Sequence, residues 1–482
     1  VLLEKLQNIL PQLPDIQSEL WLGVLLFIIV VADLFVRNKQ SKLVAYLFII
    51  GLVANLYLIA NTRTDNLPIF GGMIAIKQTD FFLKVVFSCC ALSTVVMDLQ
   101  NWENTPYKRG EFYTILTSTL LGLQFVIISA NFLMLYLSIE IVSLSSYLLS
   151  IFCFDRKSVK NSMKYLLFGA VASGIMLYGI SFIYALSGEV ALNQITPETL
   201  PAIPMLFGFI LIFAGLFFKI SAVPFHFWTP DVYETAPTSV TAFYSVAPKV
   251  AGLAALSGLM SMFKDSYHSL HIDILFAIVA GLSILVGNLG ALQQKSLKKL
   301  FAYSSIAHAG FLMIALIPRS ATGNDSFLFY TAVYLLMNYA AFMIVALIEK
   351  HYQTDTITHV NGLGNQSIYV GIVTIVVVLS LIGLPITAGF TAKLLVFSSL
   401  WENYQITGHR YIIFLIAFGL LNVAIALVYY LRIPYLMFFK KTEQNIVFSL
   451  TKTDYILLAC LAIPLILLFF SPQIVINFVN TR

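Results

Sequence analysis

Glu140, Lys219, Lys249, His308 and Lys393 each fall inside a long apolar run, where an ionisable side chain is hardest to keep. A charge at the centre of a bilayer costs at least about 2.5 kcal/mol, so each of these residues needs a reason to be there. Glu140 is the only charged residue between Asn131 and Phe154, which makes it the sole deep carboxylate of this reading and sends its ion-pair partner to another helix. The structural alternative is a carboxylate satisfied by hydroxyls such as those of Ser143 or Ser145. Lys219 stands five residues before Pro224, Lys249 directly follows Pro248, and Lys393 follows Pro385. Proline in a helix releases the carbonyl four residues back, here those of Ile220, Tyr244 and Leu381. A lysine beside such a carbonyl can hold a proton or a water network.

The chemistry that suits this set is proton relay. Burial disfavours the charged forms of Lys and Glu, and pairing the two opposes that effect. A lysine whose carboxylate can approach or recede is therefore able to take up and release a proton, and Glu140 with Lys219 is the candidate coupled pair. His308, in FAYSSIAHAGF, is either a hydrogen-bonded core residue or a carrier, and the unperturbed pKa of a histidine suits that residue type to bridging two lysines. His226, just past Pro224, is either a relay member or an interfacial cap. Lys295, in QQKSLKKLF, either contributes to proton uptake or is the basic end of a loop. Lys84 and Arg432 lie near the ends of their runs and fit snorkelling to the interface.

These residues sit in a chain of 482 residues with 28 Lys and Arg and 23 Asp and Glu, only 11% charged, against 59% hydrophobic. A soluble domain carries about a quarter charged residues. The composition excludes a soluble enzyme, a disordered chain and a disulfide scaffold, and identifies an integral membrane protein. Cys89, Cys90, Cys153 and Cys460 form no CxxC pair, and the seven histidines are scattered, so no metal site and no redox cofactor is expected on this chain.

The elements that must position the ionisable residues are apolar runs of bilayer-spanning length. They fall at about 20–36, 43–60, 79–97, 112–129, 131–153, 164–186, 205–223, 239–262, 272–291, 300–317, 326–348, 368–399, 411–438 and 453–475, fourteen in all. With the N-terminus outside, sixteen of the 28 basic residues fall on inner loops and seven on outer segments, so both termini are expected on the outer side. This topology accounts for the net charge of +5, and no nucleic acid partner is needed. The seventh and twelfth runs are broken in a similar way, at Ala222-Val223-Pro224 and Gly383-Leu384-Pro385. Broken helices in corresponding halves point to an inverted-repeat transporter. The expected fold is an all-α integral membrane protein of about 14 transmembrane helices, in a single membrane domain. Three N-terminal helices (1–111) precede two inverted five-helix repeats (112–262 and 272–438), and a C-terminal helix (453–482) follows.

The segment FHFWTPDVYETAPTSVTAFYSVAPKVAG (Phe225 to Gly252), with Lys219 upstream, resembles the signature of the proton-translocating antiporter-like membrane subunits of respiratory complex I. The resemblance extends to KSLKKLFAYSSIAHAGF (Lys295 to Phe311) and GLPITAGFTAKLLVF (Gly383 to Phe397), and the fourteen-helix plan covers essentially the whole chain. Within that family the wording WTPDVYETAPT, and a lysine rather than a glutamate at Lys393, resemble subunit N of the bacterial NADH:quinone oxidoreductase more than its sister subunit M. An end at Arg482 is expected to leave no room for the lateral helix of sister subunit L. The resemblance implies that Lys219, modulated by Glu140, passes a proton through Lys249 and His308 to Lys393. It also implies other membrane subunits and a peripheral arm as partners in a bacterial inner membrane. NADH, FMN, iron–sulfur clusters and quinone would then be held by those partners, because no motif for any of them is visible here. The rival readings are a subunit of a multi-subunit cation/proton antiporter and a scaffold that pumps nothing.

Overall fold

The computed structural model describes residues 10–36, 42–62, 68–100, 109–263, 270–441 and 448–480. Lys5, Arg37, Lys39, Arg63, Lys108, Lys264 and Arg482, which enter the loop-charge argument above, lie outside the described residues. The described chain is almost entirely helical: α1 Gln17–Phe35, α2 Leu43–Asn61, α3 Gln78–Gln100, α4 Arg109–Ile128, α5 Phe132–Ser150, α6 Arg156–Ser187, α7 Ala202–Lys219, α8 Trp228–Thr235 and α9 Thr238–Met260, followed by α10 Ile272–Leu292, α11 Leu297–Leu316, α12 Ala321–Tyr352, α13 Ile368–Ile382, α14 Ala388–Thr407, α15 Arg410–Phe439, α16 Lys452–Phe470 and α17 Gln473–Asn480. Thirteen of the helices described are long and apolar enough to cross a membrane. The twelfth run is the exception, divided into α13 and α14.

The helix boundaries have local causes. Side-chain oxygens of Asn131, Asp155, Ser296, Ser320 and Ser367 accept from backbone N–H groups in the first turns of α5, α6, α11, α12 and α13, and Thr451 with Asp454 forms a reciprocal capping box on α16. At the other ends, Gly188, Gly383 and Gly408 adopt the left-handed conformation that stops α6, α13 and α14. The fourteenth run differs from expectation: α16 ends at Phe470, and a turn at Ser471 and Pro472 starts a separate short helix, α17. Pro472 has no N–H with which to continue the ladder of α16.

Successive crossings alternate in direction, so the start of α1, α3 and α5 and the ends of α2, α4 and α6 share one membrane face, referred to below as the terminal face. A two-stranded hairpin lies there, with β1 Pro68–Ile69 paired antiparallel to β2 Ile74–Ala75. The most extensive pairings of neighbouring helices are α4 with α5 and α6 with α7 in one half, and α10 with α11 in the other. Helices α9, α11 and α12 are the most buried, while α1, α2, α15 and α16 keep most of their apolar surface outward, as a lipid-facing rim does.

Candidate functional site

The seventh crossing stops at Lys219 because the chain turns through Ser221, at φ 61°, into the Val223–Pro224 peptide. The carbonyls this frees are taken locally: Ala222 N–H donates to Phe217 O at 2.8 Å, and the Trp228 indole donates to Phe218 O at 3.1 Å. The indole is fixed in turn by stacking on Tyr165, with ring centroids 4.1 Å apart. Lys219 is therefore left free of its own break. Its Nζ donates to Ser143 Oγ at 2.6 Å, Ser173 Oγ at 3.2 Å and Tyr147 OH at 3.3 Å, on α5 and α6. A cavity of about 20 Å³ lies beside it, lined by Ser143, Ser146, Tyr165 and Pro248 among others, with room for one water.

Glu140 precedes Ser143 by one helical turn and Tyr147 by two, on the helix that Lys219 reaches. It makes no ion pair among the described residues. Ser143 and Ser145 do not satisfy its carboxylate: Ser143 donates to Ile139 O and Ser145 to Ser118 Oγ.

Lys249 is 1% exposed, and its Nζ donates to Ser305 Oγ at 2.8 Å with the Tyr233 ring 5.8 Å away. Helix α9 runs unbroken through the adjacent Pro248. His308 Nδ1 lies 2.8 Å from Tyr330 OH and its Nε2 3.3 Å from Tyr430 OH, and Tyr430 is also hydrogen-bonded to Ser304. Lys393 folds back on the twelfth break, donating to Leu381 O at 3.0 Å and Ile382 O at 2.6 Å, with the Phe311 ring at 4.8 Å. The carbonyl of Leu381 is the one Pro385 was expected to release.

One helix ties these groups together. At three-residue intervals α11 presents Ser305 to Lys249, His308 between the two tyrosines, and Phe311 to Lys393. The hydroxyl partners Ser143, Ser173, Ser305, Tyr330 and Tyr430 were not singled out from the sequence as a set, because Ser and Tyr are common in any membrane helix. The usable signal was the three-residue spacing within SSIAHAGF.

Other expected residues fall elsewhere. His226 is 8% exposed and lies against the Phe227 ring, with no bond to any of the three lysines among the described residues. Lys295 is exposed. Its neighbour Lys298 is the buried cation, paired with Glu349 at 3.0 Å and donating to Ala236 O at 2.9 Å. Nearby, Glu234 bridges Lys157 at 2.8 Å and Lys299 at 3.0 Å. Partial burial raises its pKa, but the two ammonium groups outweigh that and hold the carboxyl below its ordinary value. Two expectations are corrected. Lys84 does not snorkel: it is 1% exposed and pairs with Glu19 at 2.6 Å. Glu140 is not the sole deep carboxylate, because Glu19, Asp80 and Asp98 are 1%, 3% and 1% exposed. Glu19 precedes the first apolar run by one residue, so hydropathy alone places it outside the membrane.

Chemically, three amines are held only by neutral oxygens of hydroxyls and carbonyls. None of the three has a carboxylate within ion-pair distance among the described residues. Such an amine can lose and regain a proton without breaking an ion pair.

Over residues 129–421 the chain matches the family described as NADH:quinone oxidoreductase/Mrp antiporter, transmembrane. NADH-quinone oxidoreductase subunit N of Chlorobium chlorochromatii is 36% identical over 442 residues, 89% of this chain and 85% of that one. A chain of the solved respiratory complex I from Thermus thermophilus is 27% identical with a TM-score of 0.80, and the match covers 95% of this chain and 98% of that one. A chain of the Mrp complex from a Dietzia species, at 18% identity and a TM-score of 0.84, covers 97% of this chain and 96% of that one, a likeness of fold alone.

Proposed function

The chain belongs to the family of NADH-quinone oxidoreductase subunit N, a proton-translocating membrane subunit of complex I, and on that premise we propose that its transport step runs through Lys219, Lys249, His308 and Lys393, with Glu140 modulating the first. The observation that carries this reading is the set of amines bonded only to neutral oxygens, of which Lys249 and Lys393 are joined through α11. Lys219 shares a water-sized cavity with Pro248, the neighbour of Lys249. Lys249 reaches Ser305, one turn from His308. Phe311, one turn further on, meets Lys393.

Redox chemistry then belongs to partner subunits of a peripheral arm, which hold NADH, FMN, iron–sulfur clusters and quinone. This chain contributes transport coupling in a bacterial inner membrane, beside neighbouring antiporter-like and small membrane subunits, with its terminal face on the outer side. His226 and Lys295 are left outside the relay. The two repeats correspond to 112–262 and 272–438, each with a broken crossing.

The test is proton pumping by complex I carrying Lys219→Ala or Glu140→Ala, purified and reconstituted in vesicles. Both variants are expected to assemble and to lose most NADH-driven acidification. Pumping at the native ratio in both would discard the relay.

A further inference from the structure

Helix α3 carries a buried polar stripe that the relay does not use. Asp80, Lys84, Ser88, Thr94 and Asp98 are each at most 3% exposed. At 3.6 residues per turn they fall within about a third of the helix circumference. From Asp80 to Asp98 they rise about 27 Å, close to the thickness of a bilayer core. Each meets a different neighbour. Asp80 accepts from Lys77 N–H at 2.7 Å and forms part of the wall of a cavity of about 590 Å³ on the terminal face. Lys84 pairs with Glu19 of α1 at 2.6 Å, and Ser88 donates to Asn55 of α2 at 3.3 Å. Thr94 and Tyr339 of α12 share a hydrogen bond of 2.9 Å, and Tyr113 of α4 donates to Asp98 at 2.7 Å.

The part of the stripe around Lys84 and Ser88 belongs to a connected network. Ser18 Oγ donates to Glu19 at 2.8 Å and receives from Lys84 at 3.4 Å, while Asn55 donates to Ser18 O at 2.8 Å and accepts from Gln124 at 3.0 Å. Gln124 is fully buried, and its Oε1 has no hydrogen-bond partner among the described residues. Docking α1 and α2 onto the core needs only neutral bonds of the kind Asn55 makes. An ion pair and two further carboxylates on one face exceed that need, and ionisable groups inside a membrane mark ion paths.

From this geometry we infer that α3 carries a second proton path, running across the membrane from Asp98 to the cavity at Asp80, with Glu19 and Lys84 as its charged pair about one turn from the Asp80 end. A proton arriving from the Asp98 side neutralises the Glu19 carboxylate. The unpaired Lys84 ammonium gives its own proton to water at the Asp80 side and is left as an amine. Transfer of the carboxylic proton from Glu19 to Lys84 restores the pair, so one proton has gained one side and left the other. The cavity supplies the water, and the energy is that of the same redox-driven complex.

The test uses the complete complex in vesicles, measuring protons moved per NADH oxidised. The double variant Glu19→Gln/Lys84→Met removes both charges at similar volume and leaves Lys219, Lys249, His308 and Lys393 untouched. Native abundance and NADH oxidation with a reduced proton ratio are expected. A native ratio would overturn the inference and reduce the pair to an anchor for α1, including the case where each single variant fails to assemble and the double variant does not. If the double variant itself fails to assemble, Thr94→Val decides. It is uncharged and matched in shape, and it removes the hydroxyl link to Tyr339. A lowered ratio in it supports the path, and a native one overturns it.

Discussion

The seventh and twelfth crossings are broken by the same device, a small residue, an aliphatic one and a proline, yet they hold their lysines in opposite ways. Lys393 turns back onto its own break and is held by two backbone carbonyls, Leu381 O and Ile382 O. Lys219 turns away from its break, whose carbonyls are already taken by Ala222 N–H and the Trp228 indole. It reaches across to Ser143, Tyr147 and Ser173. Hydroxyls rotate and both donate and accept, whereas backbone carbonyls are fixed and only accept. One lysine therefore has partners that can follow a change in its protonation, and the other sits in a rigid socket. Within the proposed relay, this difference would assign the adjustable step to the first half and the fixed terminus to the second.

The largest effect expected from this contrast is Gly389→Ala. A Cβ at that position would stand 1.8 Å from the Ser380 carbonyl oxygen, a backbone atom that cannot move aside without opening the α13–α14 junction. Overpacking of a tight interior costs about 1–3 kcal/mol and more where backbone must shift. Loss of assembled complex, read as the amount of chain in purified membranes, is the expected outcome. The seventh break holds no glycine between Lys219 and Trp228, so it has no equivalent weak point. Normal assembly of Gly389→Ala would mean that the second socket is not rigid.

The next effect is a pair, Lys393→Arg and Lys219→Arg. Arginine keeps the charge but replaces a compact ammonium with a planar fork of five donors. The Lys393 socket is closed by two carbonyls, the Phe311 ring and Gly383, whose own Cβ would stand 2.7 Å from Lys393 Cδ. Lys219 is only partly buried and has three hydroxyls that can turn toward a fork. Lys393→Arg is thus expected to lose nearly all proton pumping in reconstituted vesicles, and Lys219→Arg to retain a measurable fraction. Equal losses would remove the distinction between the two halves.

Sequence and structure agree most where the physics is one-dimensional. Length and hydropathy place the crossings, because a bilayer core must be spanned by about twenty apolar helical residues, and thirteen of the described helices meet that length while the twelfth run is divided. A proline after a small and an aliphatic residue places both breaks, at Pro224 and Pro385, and only the twelfth adds a glycine, Gly383. What could not be read were partners in three dimensions. The spacing of Lys219 and Lys393 from their prolines does not say which one turns back. Lys84 reads as an interfacial lysine until Glu19 arrives from a helix some sixty residues away. Even the hydroxyls around His308 are ordinary residues in sequence, and only the packing of α11 against α12, with Tyr430 reaching in from α15, gives them a task.

The smallest expected effect tests the adjustable half on its own terms. Among the three hydroxyls at Lys219, the shortest contact is Ser143 at 2.6 Å, and Ser173 and Tyr147 follow at 3.2 and 3.3 Å. A hydrogen bond to a charged group contributes about 1.5–3 kcal/mol, but the two remaining hydroxyls, or a water in the adjoining cavity, can replace part of a lost one. Ser143→Ala is therefore expected to slow proton pumping by less than about tenfold, and Ser173→Ala by less again, with assembly unchanged in both. The order of the two slowings, measured as the initial rate of NADH-driven acidification, is the informative quantity. If Ser173→Ala were the more damaging, Lys219 would be working from a position closer to α6 than the one observed. The adjustable partner would then be α6 rather than the α5 face that also carries Glu140.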